Sequence, residues 1–308
     1  MTGSRERWTR RRFLQGLGMA AALPWMPRLG RAASGAVNTK PIPSSGERIP
    51  VIGLGTSRTF NAPAGTARSA LAPVLQVFFD RGGLLIDSSP MYGAAEEVIG
   101  ELLKATKHPG VFAATKVWTD GKQAGIEQME QSRGLWGVPR FDLMQIHNLR
   151  DWRVHIETLK DWKAQGRIRY IGITTSHGRM HDELERALGA ERFDFVQFSY
   201  NLEDREVEDR LLPLAADRGI AVLVNRPFQR GGLFDKVRNK PLPPWASELA
   251  IASWGQYFLK FAVSHPAVTC AIPATSKVRH MEDNMGAGYG PLPDAAARKR
   301  MVEHIGSL

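Results

Sequence analysis

One feature restricts this chain more than any other: from Val51 onward, short apolar runs alternate with longer amphipathic stretches. The runs are Val51–Leu54, Leu84–Asp87, Val111–Val117, Asp142–His147, Arg169–Thr174, Phe193–Ser199, Ile220–Asn225 and Val268–Pro273. Most are continuously apolar, as strands covered on both faces are. Between them, Leu71, Val74, Leu75, Phe78 and Phe79 stand at i, i+3, i+4, i+7 and i+8, one face of a helix. Similar patterns run through Glu101–Lys104, Trp152–Gln165, His181–Leu188, Glu206–Asp217, Ala246–Val263 and Arg279–Met285. Most stop at a glycine or proline, among them Gly82, Pro109, Gly166, Gly189, Gly219 and Pro266. Eight strand–helix units in about 250 residues predict a closed (β/α)8 TIM barrel of the α/β class, not an open doubly wound sheet. No composition break divides the alternation, so residues 37–308 are expected to form one domain.

Residues 1–36 do not share the pattern. Arg10-Arg11-Arg12-Phe13-Leu14 precedes an apolar stretch from Gly16 to Met26, and small residues follow at Ala32, Ala33, Ser34 and Ala36. Basic region, short apolar region and small-residue cleavage site are the order of a secretory signal. The apolar part is about a dozen residues, where spanning a bilayer needs ~20, so it is not a membrane anchor by length. The arginine pair followed by Phe-Leu resembles the bacterial twin-arginine export signal. That resemblance implies the twin-arginine machinery as a partner and a periplasmic or otherwise exported mature chain. The route carries folded proteins, which suits an enzyme that loads a cofactor before it leaves.

The same segment explains the charge. The chain has 41 Lys and Arg against 31 Asp and Glu, a formal +10. Arginines 5, 7, 10, 11, 12, 28 and 31, opposed only by Glu6, supply six of those ten charges. No Lys/Arg run remains beyond them, so nucleic acid is not an expected partner. The single cysteine, Cys270, rules out an internal disulfide and every multi-cysteine zinc or iron–sulfur pattern.

In a barrel of this kind chemistry collects at the C-terminal ends of the strands. The second run ends in Asp87-Ser88-Ser89-Pro90-Met91-Tyr92-Gly93, the third in Thr115-Lys116-Val117-Trp118, the fourth in Gln145-Ile146-His147-Asn148. Taken singly these are a helix-capping aspartate, a solvated lysine, a hydrogen-bonded histidine and a packed tyrosine. Together they make chemical sense. A tyrosine titrates near 10 in model peptides, and an ammonium at Lys116 favours the phenolate and lowers that value. Asp87 would orient Lys116 and compensate its charge, and His147 would fix a substrate oxygen. The product is a general acid beside a carbonyl, as hydride reduction of an aldehyde or ketone requires. Trp118, two residues past Lys116, is expected to line the substrate pocket. His177 and His181, at i and i+4, lack the carboxylate of a metal motif, so no metal is expected.

Gly53-Leu54-Gly55 is too short for a Rossmann fingerprint, whereas a barrel mouth can hold a dinucleotide with its phosphates near strands seven and eight.

These motifs resemble the aldo-keto reductase family over nearly all of the chain after the signal, from Ile49-Pro50-Val51-Ile52-Gly53-Leu54-Gly55-Thr56 to Asn284. The Asp-x4-Tyr-Gly step at Asp87–Gly93 continues into Ala95-Glu96-Glu97-Val98-Ile99-Gly100, and Lys116 and His147 follow at family-like intervals. The resemblance implies the same barrel, Tyr92 as proton donor, and NADP(H) in preference to NAD(H), acting on a small carbonyl or alcohol. It implies cofactor contacts at Gly55, Thr56 and Gln197, the last holding the nicotinamide amide. Thr174 and Thr175 stand where the family commonly has Ser-Asn, so Thr175 lacks the amide. Arg226-Pro227-Phe228 and Gly231 resemble a pyrophosphate loop that often begins Ser-Pro-Leu. Thr275, Ser276, Lys277 and Asn284 resemble the adenosine-phosphate segment at the start of the last barrel helix, where hydroxyls and a cation suit a phosphate. Ala274 replaces a frequent lysine and His280 a frequent arginine. A second reading keeps the pocket without the turnover: a nicotinamide-nucleotide-binding sensor or partner subunit.

Overall fold

The computed structural model describes residues 35–308. The expected export signal falls almost entirely on residues 1–34, outside those described. Described residues open with an antiparallel hairpin, β1 (Thr39–Pro41) and β2 (Arg48–Pro50). Eight parallel strands follow: β3 (Leu54–Gly55), β4 (Leu85–Asp87), β5 (Phe112–Val117), β6 (Phe141–Ile146), β7 (Ile168–Thr174), β8 (Phe195–Ser199), β9 (Ala221–Asn225) and β10 (Val268–Ala271). They pair in sequence order from β3 to β10. A parallel bridge between Ile52 and Ala271 joins the first to the last, supported by Gly53 N–H donating to Ala271 O at 2.9 Å. The expected (β/α)8 barrel is therefore the observed one.

The helices are α1 (Thr66–Ser69), α2 (Ala72–Asp80), α3 (Ala95–Ala105), α4 (Lys122–Trp136), α5 (Trp152–Ala164), α6 (His181–Ala190), α7 (Leu211–Asp217), α8 (Gly232–Lys236), α9 (Trp254–Ser264), α10 (Val278–Gly286) and α11 (Ala295–Gly306). None of the described helices is long and apolar enough to cross a membrane. Two expected helices are shorter than their patterns suggest. The 206–217 stretch breaks into a 3-10 turn and α7, because Pro213 offers no N–H to the carbonyl four residues back and its ring clashes there. The 246–263 stretch breaks where Ala250 turns left-handed, φ 50°, and Ser253 caps a fresh start by accepting the Gln256 N–H at 3.0 Å.

Side chains alternate between two environments along each strand. Ile86, Met144, Ile146, Ile173, Val196 and Val222 face outward into the helix-covered core. Leu85, Phe112, Leu143, Tyr170, Phe195, Leu223 and Cys270 fill the interior, closed from below by Ile42 and Ile49 of the hairpin. Two residues further along the same faces lie Asp87 beyond Leu85, Lys116 beyond Ala114, Gln145 beyond Leu143, Gln197 beyond Phe195 and Asn225 beyond Leu223. The barrel interior is thus an apolar layer capped by a polar one, and the polar layer is the floor of the mouth.

Candidate active site

At the centre of that floor is a buried ion pair. Lys116 has no exposed surface, and its Nζ donates to Asp87 Oδ2 at 2.5 Å and to Ser88 O at 2.6 Å. The other carboxylate oxygen, Oδ1, accepts from Gln145 Nε2 at 2.8 Å and Gln197 Nε2 at 3.1 Å. Gln197 Nε2 also reaches Gln145 Oε1 at 3.0 Å, and Asn225 Nδ2 donates to Gln197 Oε1 at 3.2 Å and to Thr175 O at 2.9 Å. Burial opposes the Lys116 ammonium, but Asp87 and Tyr92 outweigh it and the net shift is upward, so Lys116 stays charged.

Tyr92 comes off the 3-10 turn Pro90–Tyr92, whose start is capped by Ser89 Oγ accepting the Met91 N–H at 3.2 Å. Proline at the first position of that turn suits it, since no donor is needed there. The Tyr92 ring lies with its centre 5.3 Å from Lys116 Nζ and meets the His147 ring edge-on at 5.7 Å. Lys116 does pull the phenol downward as expected, but burial pulls harder in the opposite sense and the net shift is upward. Tyr92 is therefore held as a phenol. His147 is held neutral, its pKa driven well below 6.5 by burial first and the Lys116 charge second. Its Nδ1 is 2.8 Å from Ser89 Oγ.

Above this floor opens a cavity of about 760 Å³. It is lined by Asp87, Tyr92 and His147 and by ten expected cofactor contacts: Gly55, Thr56, Thr174, Thr175, Gln197, Arg226, Phe228, Gly231, Thr275 and Asn284. Lys116 lies beneath the floor rather than in the wall. Ser276 and Lys277 stand just outside the lining, next to Thr275, whose Oγ1 accepts the Lys277 N–H at 3.1 Å. Trp118, expected in the substrate pocket, is not among the residues lining this cavity. Its N–H is taken by Gln128 Oε1 at 2.6 Å, and the Arg150 guanidinium sits 4.9 Å over its ring, anchored in turn by Asp120. The Thr175 hydroxyl donates to Arg179 O at 2.5 Å, away from the role of the amide it replaces.

Several lining residues carry no signal of their own in the sequence. Arg179 and Arg230 join Arg226 in the lining, and among the described residues none of the three pairs with a carboxylate. Burial first, then Arg230, lowers the Arg226 pKa, and its buried Nε has no partner. Both Arg226 (φ 51°) and Arg230 (φ 56°) take left-handed backbone that a β-carbon disfavours. A lone arginine in a loop says nothing until the fold brings the others beside it. Among the described residues no three metal-ligating side chains converge.

The barrel mouth thus gathers a protonated tyrosine and a neutral histidine over a buried ammonium. The family model described as "Aldo/keto reductase family" matches residues 51–299, and the chain belongs to that family. It is 30% identical over 203 residues to the aldo-keto reductase YhdN of Bacillus subtilis, a match spanning 60% of each protein. It is 25% identical over 191 residues to the NADH-specific methylglyoxal reductase of Escherichia coli, covering 52% of this chain and 56% of the relative. An aldo/keto reductase from Klebsiella pneumoniae in complex with NADP and acetate superposes with a TM-score of 0.69 at 24% identity, covering 84% of this chain and 93% of that one. Membership of that family supports an oxidoreductase.

Proposed function

We propose that the protein interconverts an aldehyde or ketone and the corresponding alcohol with NADP(H), Tyr92 acting as general acid. The observation that carries this reading is the Lys116 ammonium, 2.5 Å from Asp87 and 5.3 Å from the centre of the Tyr92 ring. When bound, the nicotinamide supplies or accepts the hydride. Tyr92 donates its proton to the substrate oxygen, and its raised pKa keeps that proton available at neutral pH. The phenolate left behind is stabilised by Lys116, whose own charge is held by Asp87, and Gln145 and Gln197 fix the carboxylate. His147 orients the oxygen as a neutral hydrogen-bonding partner.

The residues present fit a nicotinamide dinucleotide. The orphaned Arg226 Nε and the guanidiniums of Arg179 and Arg230 suit phosphate oxygens, which accept several charge-assisted hydrogen bonds at once. Thr56, Thr174, Phe228, Gly231, Thr275 and Asn284 would complete the cradle. Gln197 would meet the nicotinamide amide through its remaining acceptor capacity, since its N–H groups face Asp87 and Gln145. The NADP-bound Klebsiella structure supports NADP(H), while the NADH-specific relative from Escherichia coli is the counterexample. We read residues 1–36 as a twin-arginine signal, so that the holoprotein is exported folded.

The test is a fluorescence titration of the chain from Val37 onward with NADPH and NADH, followed by an aldehyde panel. Tight NADPH binding with oxidation by an aldehyde is expected. Binding without oxidation would favour the sensor reading, and no binding would overturn both. Export is tested by fractionating cells that express the full chain and a variant with Arg11 and Arg12 changed to lysine; only the former should reach the periplasm.

A further inference from the structure

His147 is neutral, so a single proton is shared between its two ring nitrogens, and which nitrogen holds it decides what the residue offers a substrate. Nδ1 has one partner, Ser89 Oγ, at 2.8 Å. Nε2 makes no hydrogen bond to any of the described residues, and the ring belongs to the wall of the cavity. Ser89 settles the matter by its own hydrogen-bond count. A serine hydroxyl has one proton to donate and two lone pairs. Ser89 has no exposed surface, and its Oγ already accepts the Met91 N–H at 3.2 Å. If Nδ1–H donated to Ser89, both lone pairs would be taken and the buried hydroxyl proton would have no acceptor among the described residues. If Ser89 donates to Nδ1 instead, every group is satisfied, and buried polar groups are nearly always satisfied.

We propose that Ser89 is a positioning residue that fixes His147 in the Nε2–H tautomer, so that the mouth presents two hydrogen-bond donors, His147 Nε2–H and Tyr92 O–H, to one substrate oxygen. The inference rests on the reading of His147 as the residue that orients the carbonyl. In the reducing direction, with Tyr92 protonated, a carbonyl oxygen with two free lone pairs satisfies both donors at once. The same serine that caps the turn carrying Tyr92 therefore also sets the proton of its partner. The two donors are adjusted by one side chain.

The experiment is a long-range 1H–15N correlation on the full chain labelled with 15N-histidine, recorded at neutral pH without cofactor. His147 is identified by the signals missing from His147→Gln. A protonated Nε2 and an unprotonated Nδ1 are expected in the unaltered protein, and Ser89→Ala should redistribute the proton between them. A protonated Nδ1 in the unaltered protein, or an unchanged His147 pattern in Ser89→Ala, would overturn the proposal. Ser89→Cys keeps the shape with a weaker donor and serves if the alanine variant does not fold. In turnover, Ser89→Ala should lower kcat about tenfold with KM for the nucleotide unchanged, and Ser89→Cys should recover part of it. Because the tautomer is read in the resting protein, its failure is separate from failure of the catalytic reading, which inactivity of the unaltered protein would expose.

Discussion

Gln145 Nε2 stands 2.8 Å from Asp87 Oδ1, on the carboxylate oxygen that Lys116 leaves free. Asp87 is consequently held from two sides, and its orientation does not depend on the ion pair alone. Lys116 in turn has no exposed surface, so its charge is tolerable only because Asp87 compensates it. Changing Asp87→Asn should cost about 3–5 kcal/mol, the usual penalty for leaving one member of a buried pair unpaired. Lys116→Met should cost a similar amount, and the double variant clearly less than the sum. Urea unfolding of the four proteins checks this, and additive losses would mean that the pair is not energetically coupled.

Tyr92→Phe removes one hydroxyl and keeps the ring that packs edge-on against His147. Turnover with an aldehyde should fall on the order of 10²–10⁴, the typical contribution of a general acid. NADPH affinity, measured by fluorescence, should change little, because the ring remains. Turnover within a factor of two of the unaltered protein would remove Tyr92 from the mechanism.

The residues proposed to meet the cofactor phosphates divide by position. Arg226 lies in the loop after β9, while Lys277 stands immediately before α10, where Thr275 caps its N–H. Arg226→Ala should weaken NADPH and NADH alike, about tenfold, because both nucleotides carry a pyrophosphate. Lys277→Ala should weaken NADPH more than NADH, because only NADPH carries the additional phosphate. Equal losses of both nucleotides in Lys277→Ala would place the discrimination elsewhere.

How far the site could be read in advance follows from physical scale. The barrel strands carried strong signals because covering both faces makes a strand continuously apolar. Leu84–Asp87 was expected and β4 is Leu85–Asp87; Ile220–Asn225 was expected and β9 is Ala221–Asn225. The hairpin β1–β2 left none, since two three-residue strands are shorter than any periodicity can register. Asp87, Lys116 and His147 were legible because strand ends of a barrel converge by topology. The surroundings of Trp118 were not legible: one residue past β5 the chain has left the strand, where Gln128 takes its N–H and Arg150 covers its ring. Ser89, Arg179 and Arg230 matter through what they face, which no spacing along the chain encodes.

Acid should loosen the fold through histidines held neutral by full or partial burial. His265 has its pKa lowered to about 4, by burial first and Arg298 second, against 6.5 when unfolded. His147 is likewise held well below 6.5, by burial first and the Lys116 charge second. Between pH 6.5 and about 4 the unfolded chain binds protons that the folded chain refuses, so the stability these residues lend above pH 6.5 is lost as pH falls. Urea midpoints should decline across that window. His265→Asn, which can still accept the Ala267 N–H, should show a shallower decline. An identical slope in the variant would exclude His265 as a contributor.

Two glycines of neighbouring helices should respond to alanine with opposite signs. A β-carbon on Gly100 of α3 would run into the Leu135 carbonyl oxygen of α4. A backbone oxygen cannot rotate aside, so the two helices would have to separate. Their separation would strain Glu96, which accepts from Thr115 of β5 at 2.5 Å, from Ser132 at 2.8 Å and from Trp136 at 3.3 Å. Gly100→Ala should therefore cost at least the ~1–3 kcal/mol of ordinary overpacking. Gly134 of α4 has nothing within 4 Å of its virtual β-carbon. There alanine removes only freedom from the unfolded chain, and Gly134→Ala should stabilise by about 0.4–1 kcal/mol. Thermal or urea unfolding of both variants decides the point. A neutral Gly100→Ala would mean that α3 and α4 are not packed as closely as that contact requires, and the turn that delivers Tyr92 into the mouth would then lack the rigid backing that α3 provides.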